Sequence, residues 1–304
     1  MLLGVFCGLS AAVLNSIGYI FGARFMLHYD SALRLFVAAA LVMMCLCLPF
    51  LPFLFPYGQL QDRGEFLGML LVWVAAFWCG QGCFFLSLKY FNASCLSSFL
   101  GLKIVVLALI FMFFRHESPG LWQWVAVLLS AGAAVSFNWT GAQIARPAGW
   151  LFLCITLVGY STCDIYETEL IRRLIACGCS LTRASLAATA VVYSALGLVS
   201  LPVLFFLKMT RKQLVYAAPY AGLWIGSQIM LFACFALVLP VFGNVILATR
   251  GIFSVLLGAL LAAVGLSRFD SRISRGQWIK RGLAACAMTL AIAIYSFAQA
   301  GILK

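Results

Sequence analysis

Charge is scarce in this chain of 304 residues, and acidic charge is scarcer still: eight Asp and Glu stand against twenty Lys and Arg, with two histidines. So few titratable groups leave little material for an active site. His28 and His116 fall near the ends of apolar stretches, and neither joins a nucleophile, metal-ligand or paired-acid constellation. An intramembrane hydrolase or transferase therefore has no recognisable site, and no enzymatic activity is expected. A glycine-rich phosphate loop is also missing, so the sequence carries no ATP-driven motor of its own. The twelve cysteines are scattered, mostly inside apolar stretches. Cys177 and Cys179 share a connection, but two sulfurs with no histidine nearby make neither a closed zinc site nor an established disulfide. No metal and no cofactor are expected. At the start, the first basic residue, Arg24, follows the apolar run instead of preceding it, which reads as a retained helix and not a cleaved signal. Cys7 follows Leu-Gly-Val-Phe, without the small residues that lipidation of a cysteine wants.

What is present in quantity is apolar surface. Hydrophobic residues make up 65% of the chain and charged residues 9%, and mean hydropathy is +1.09. Such a chain has lipid as its natural solvent. Crossing a hydrocarbon core of ~30 Å takes ~20 apolar residues per helix, and the apolar stretches divide into ten spans: 3–23, 32–54, 66–88, 93–114, 121–140, 149–171, 184–206, 216–239, 242–266 and 277–299. Long apolar runs without strict alternation exclude a β-barrel, so the expectation is an all-α membrane protein with ten transmembrane helices.

Net charge of +12 invites a nucleic-acid reading. These basic residues flank the spans, where retention at lipid headgroups is the ordinary explanation, and no nucleic-acid partner is expected. Apart from Lys103 and Arg250, twelve basic residues fall on one side of the membrane and six on the other. The positive-inside rule then places both termini outside.

Lys103 in KIVVLALIFMFF and Arg250 in RGIFSVLLGALL break two apolar stretches near their middles. A charge at the centre of a spanning helix costs at least ~2.5 kcal/mol on insertion scales and normally faces a bundle interior or a water-filled path. Laying residues 1–145 over 146–304 makes the two cations counterparts and pairs Asn15 with Tyr160, Ser16 with Ser161 and Tyr19 with Asp164. Five helices per half would invert the second half relative to the first. Two inverted five-helix repeats are an architecture by which transporters expose a mid-membrane site to each side in turn.

Helical spacing gathers further polar residues on single faces. The sixth span carries Tyr160, Asp164 and Glu167 on one face, and the first carries Asn15, Tyr19 and Gly22. Trp78, Gln81 and Phe85 form a stripe on the third span; Trp224, Gln228 and Phe232 form another on the eighth. Glu167 and Glu169 lie nearer the end of their span and are expected at the membrane interface. Gly132, Gly197, Gly258 and Gly265 are expected to admit close helix approach.

The stretch from Leu88 to Trp124, LKYFNASCLSSFLGLKIVVLALIFMFFRHESPGLWQW, carries a Leu-Lys-Tyr element, a small-residue helix, an apolar helix, and Glu117 seven positions before Trp124. A looser copy runs from Ala236 to Asp270, with Asp270 eight positions before Trp278. This pattern resembles the drug/metabolite transporter superfamily, and within it the ten-helix EamA-like proteins, over nearly the whole chain. Two departures stand out: Lys103 occupies a place where relatives commonly have proline, and Asn15-Ser16 stands where a Trp-Gly pair is frequent.

The resemblance implies a secondary transporter of the plasma membrane, the inner membrane of a bacterium, acting as an exporter, as a monomer or homodimer. The residues imply the rest. Lys103 and Arg250 would hold an anionic group, while Asp164 binds an amine or exchanges a coupling proton. Tyr160, Asn15, Tyr19, Trp78, Gln81, Trp224 and Gln228 would complete the walls. A small-molecule substrate of mixed charge, an amino acid or another carboxylate-bearing solute, fits this set best. The alternative is a proton-coupled exporter of cationic drugs using Asp164; outside transport, an intramembrane enzyme or a structural membrane protein remains.

Overall fold

The computed structural model describes residues 1–304 apart from 59, 61, 88–89, 92–98, 115–118, 138–146, 251, 254–255, 258–259, 261–274 and 301–304. Among the described residues all regular structure is helical, as it must be where lipid offers the backbone no hydrogen-bond partner. The sequence sets the helix ends by familiar chemistry. α1 (Leu2–Tyr29) stops at Asp30, which adopts φ 47° and returns its N–H to the Met26 carbonyl. Ser31 then caps α2 (Ala32–Cys47) by accepting the Arg34 N–H at 3.3 Å. Pro49 and Pro52 cannot donate to a continuing helix, and the predicted span 32–54 tightens after Cys47 into a 3₁₀ turn, Leu48–Phe50, followed by a short helical turn, Leu51–Leu54.

The helices that follow are α3 (Arg63–Ser87), α4 (Lys103–Phe114), α5 (Leu121–Phe137) and α6 (Pro147–Ala176). Ser180 caps α7 (Leu181–Leu207), accepting the Arg183 N–H at 3.4 Å. Then come α8 (Arg211–Val238), α9 (Pro240–Leu247) and α10 (Arg275–Gln299). Pro202 sits inside α7 and Pro219 inside α8, positions that membrane helices tolerate because neighbouring groups re-satisfy the freed carbonyls.

Seven of the described helices are long and apolar enough to cross a membrane: α1, Ala32–Leu54, α3, α6, α7, α8 and Gly282–Gln299 within α10. Leu100–Phe113 and Leu121–Ser136 are apolar but shorter. The predicted spans 93–114 and 242–266 run partly through residues outside the described set. Side chains such as Phe6, Leu71, Phe205 and Leu283 stand exposed, which is the normal state for a surface solvated by hydrocarbon.

By contacts the chain forms two compact units. The first comprises Met1–Ala75 and Cys163–Val238, the second Ala76–Thr162 and Leu239–Lys304, so each draws on both halves of the sequence. In the first unit α1 packs along α8, and α2 lies against α7 and α8. Gly4 has no room for a Cβ beside the Val238 side chain, and Ser227 Oγ donates to the Ala11 carbonyl at 2.9 Å. Gly197 of α7 meets Met44 and the Ala40 carbonyl of α2 closely enough that a side chain would not fit, as expected of it. In the second unit α5 packs against α10 and α4, and Phe242 stacks on Tyr295 at 4.7 Å. There Gly159 of α6 crosses α3 so tightly that a Cβ would lie 2.8 Å from the Ala76 carbonyl and 3.0 Å from Gly80 Cα. Gly132 corrects its expectation: among the described residues nothing lies within 4 Å of where its Cβ would be. Gly258 and Gly265 lie outside the described residues.

Candidate functional site

The ten candidate residues divide evenly between the units. Trp78, Gln81, Lys103, Tyr160 and Arg250 belong to the second, and Asn15, Tyr19, Asp164, Trp224 and Gln228 to the first.

In the second unit both central cations stand directly after an interruption in an apolar helix. A 3₁₀ turn, Leu100–Leu102, precedes Lys103, which opens α4 and directs its N–H to the Leu100 and Gly101 carbonyls. Gly101 lets that turn pack closely on α5, because it faces Ala134 with no space for a side chain. Arg250 comes after Ala248 and Thr249, a turn that ends α9. Thr249 Oγ1 donates to the Ile246 carbonyl at 2.7 Å, beside the backbone N–H that bonds the same oxygen, and Asn244 Nδ2 donates to the Pro240 carbonyl in the first turn of α9 at 2.9 Å. Lys103 and Arg250 are both partly buried. In the same unit α6 and α3 bring two candidates into direct contact: Tyr160 donates its hydroxyl hydrogen to Gln81 Oε1 at 2.6 Å. Phe77 lies beside the Tyr160 ring at 6.1 Å, and Trp78 is half-buried one turn before Gln81.

The first unit holds the acids. Asp164 is 5% exposed, and its carbonyl accepts Thr168 Oγ1 at 2.8 Å. Glu167 departs from the interfacial place expected of it: it is 4% exposed, and Trp73 Nε1 donates to its Oε1 at 3.0 Å. The reason is the face it occupies: Glu167 turns toward Trp73 of α3, whereas Glu169, two residues on, is partly exposed. Trp73 meets Tyr193 edge to face at 5.7 Å, and Trp224 Nε1 donates to the Tyr193 hydroxyl at 2.9 Å. Around Trp224 stand Tyr19, with ring centroids 6.4 Å apart, and Tyr220 at 5.7 Å. Thus Tyr19 and Trp224, read as walls from their spacing, do come together. Asn15 and Gln228 are both buried, one turn along α1 from Tyr19 and one turn along α8 from Trp224.

Trp73, Tyr193 and Tyr220 join this group although periodicity did not single them out, and Glu167 joins it from the polar face of the sixth span, where it was expected at the interface. For two of them a signal exists. Trp73 and Tyr193 sit deep within predicted spans, away from the interfacial belt that would otherwise explain a tryptophan or tyrosine.

At the helix ends the charged residues pair locally. Arg173 bridges Glu65 and approaches Glu169 at 4.0 Å, and Arg183 donates to the Leu54 and Phe53 carbonyls at 3.0 and 3.4 Å. Arg24 donates to the Tyr216 hydroxyl at 2.9 Å, and His28 stacks on the same ring at 5.3 Å. Glu117, His116 and Asp270 lie outside the described residues.

Three comparisons bear on this arrangement. Residues 2–139 match the EamA-like transporter family. A solved crystal structure superposes with a TM-score of 0.67 at 12% identity, covering 99% of this chain and 99% of its own. That likeness shows a shared fold. No curated protein matches the sequence. The match of residues 2–139 and the seven apolar helices indicate an integral membrane protein.

Proposed function

We propose, from the match of residues 2–139 to the EamA-like transporter family, that the chain is a secondary active exporter of a small polar metabolite, an amino acid or other carboxylate-bearing solute. It works by alternating access in the plasma membrane. The observation that carries the reading is the pair of central cations, each placed immediately after a helix interruption in the same compact unit. Interrupted hydrophobic helices at corresponding positions of two halves point to a transporter's binding site, because irregular backbone is tolerated at membrane depth only where it is buried or lines a cavity. Two cations there favour an anionic group, since charge-assisted hydrogen bonds to a carboxylate contribute roughly 1.5–3 kcal/mol each.

The ten-helix, inverted-repeat arrangement is supported by two helix pairs. α1 packs on α8 in the first unit, and α6 crosses α3 in the second. If the halves are repeats, these are the same pairing made twice, first helix of one half on third helix of the other. Asp164, buried and acidic, serves in this reading as the group that exchanges a coupling proton.

The test is a thermal-shift screen of the purified protein against amino acids, organic acids, phosphorylated metabolites and quaternary amines, repeated with Lys103→Gln and Arg250→Gln. A ligand that binds only the folded state raises the melting temperature with occupancy. Stabilisation by acids or zwitterions that weakens at least roughly tenfold in each variant is expected. Unchanged stabilisation by carboxylates in both variants would sink the assignment.

A further inference from the structure

Where the chain leaves α7 and enters α8, several basic residues of the first unit gather. Lys208 ends α7 with φ 46°, and Arg211 and Lys212 occupy the first turn of α8. All three are exposed, as are Arg24 and His28 near the end of α1, the helix that packs along α8. Tyr216, one turn further into α8, joins the two sets. Arg24 Nε donates to its hydroxyl at 2.9 Å, the guanidinium carbon stands 5.2 Å from its ring centroid, within cation–π range, and the His28 ring stacks on it at 5.3 Å. Asp30, which follows α1, is an acid at the same end, and among the described residues no ion pair joins it to any of these cations.

Folding alone does not ask for this arrangement. The start of a helix carries the positive end of its dipole, so Arg211 and Lys212 stand where an acid stabilises and a base destabilises. No acid in the first turn offsets them, and the neutral Gln213 accepts the Thr210 N–H at 3.0 Å where a glutamate would add charge. Arg24 is bonded through Nε, and among the described residues its Nη atoms, the part of the fork that meets a phosphate, have no hydrogen-bond partner.

The surface beside the cations narrows the occupant. Phe205 and Phe206 in the last turn of α7 are 78% and 85% exposed, and Leu27, between Arg24 and His28, is 72% exposed. Side chains for hydrocarbon thus lie within a turn of side chains for water. An acidic protein or a nucleic acid would set polar groups against those apolar side chains. A free phosphate would sit in open solvent, where ion pairs contribute little. A lipid with an anionic headgroup has both parts in the required order, a phosphate for the bases and acyl chains for the apolar side chains, and anionic leaflets attract bases placed at helix ends.

We propose that the first unit carries a binding site for an anionic phospholipid at the α1–α8 corner, with Arg24, Lys208, Arg211 and Lys212 around the headgroup, Tyr216 orienting Arg24, and Leu27, Phe205 and Phe206 against the acyl chains. The site uses none of the residues assigned to the solute, so it stands or falls apart from that assignment.

The experiment is a thermal-shift titration of the purified full-length protein in detergent with phosphatidylglycerol, with phosphatidylcholine and with soluble glycerol 3-phosphate. Phosphatidylglycerol is expected to raise the melting temperature at a concentration at least about tenfold below that of phosphatidylcholine, and glycerol 3-phosphate to leave it unchanged. Each base beside an anionic headgroup is worth about fivefold in affinity. Arg24→Gln should therefore weaken the phosphatidylglycerol response about threefold to fivefold, and Lys208→Gln, Arg211→Gln and Lys212→Gln together about tenfold or more. Arg172→Gln, at an exposed base near the end of α6, should keep the wild-type response, which separates a site from general positive charge. Equal stabilisation by the two lipids, a wild-type response in Arg24→Gln or in the triple variant, or an equal loss in Arg172→Gln overturns the proposal. Stabilisation by glycerol 3-phosphate equal to that by phosphatidylglycerol also overturns it and gives the cations to a soluble phosphate. Should the triple variant fail to fold, Arg24→Gln and the lipid comparison still decide it.

Discussion

The α1–α8 pairing of the first unit and the α6–α3 pairing of the second differ in how close they come and in what they carry. α6 meets α3 backbone to backbone, with Gly159 against Ala76 and Gly80. α1 meets α8 through side chains. A Cβ on Gly18 would stand 3.7 Å from Leu223 Cβ, and one on Gly22 would stand 3.3 Å from the Tyr220 ring. Along this stretch the looser pairing has room for a layer of rings, and there Tyr19, Tyr220 and Trp224 form the aromatic wall. Charge divides between the same units. The acids Asp164 and Glu167 lie in the first, and the cations Lys103 and Arg250 in the second. Among the candidate residues, then, the unit with the glycine crossing holds the two central cations and the unit with the aromatic wall holds the buried acids.

Four substitutions would break or sharpen that contrast, all read as apparent melting temperature and inactivation rate of the purified protein. The largest effect is expected from Gly159→Leu, whose Cβ alone would stand 2.8 Å from the Ala76 carbonyl; overpacking against backbone should cost about 3 kcal/mol or prevent folding. A wild-type melt would mean that the crossing is not tight. Next comes Trp73→Phe, which removes the N–H at 3.0 Å from Glu167 and should cost about 1.5–3 kcal/mol, the range for a hydrogen bond to a charged group. Gln81→Leu takes the acceptor from the Tyr160 hydroxyl, 2.6 Å away, and should cost about 0.5–1.5 kcal/mol. If it costs more than Trp73→Phe, the second unit depends on its polar contacts more than the first does. Gly18→Ala in the looser pairing should stay within about 0.5 kcal/mol, since its neighbour at 3.7 Å is at ordinary contact distance.

Much of the helical layout is legible in the sequence because hydropathy and capping are local. Ser31 and Ser180 before apolar runs mark where α2 and α7 begin, and Pro49 and Pro52 mark where the second helix loses its regular form. Tyr160, Gln81, Tyr19 and Trp224 can be chosen from face and spacing. Their partnerships cannot, because periodicity is silent about which faces meet, and α1 meets α8 through contacts such as Ala11 with Ser227, 216 residues apart in the chain. Glu167 defies its expectation for a different reason. Nearness to the end of a span says nothing of which face of the helix a residue occupies, and Glu167 turns toward Trp73 of α3 while Glu169, two residues on, is partly exposed.

The end of α6 also offers a handle of another kind. After Ala176 the chain turns through Gly178 at φ 83°, leaving Cys177 partly exposed while Cys179 is buried. A thiol in water reacts with maleimides through its thiolate, whereas thiols facing hydrocarbon, as Cys45, Cys79 and Cys154 do along their helices, are out of reach of a polar reagent. Cys177 is thus a native reporter of sidedness. With both termini outside, as the distribution of basic residues has it, a membrane-impermeant maleimide added to intact cells marks this position. With the opposite orientation it does so only after the cells are opened.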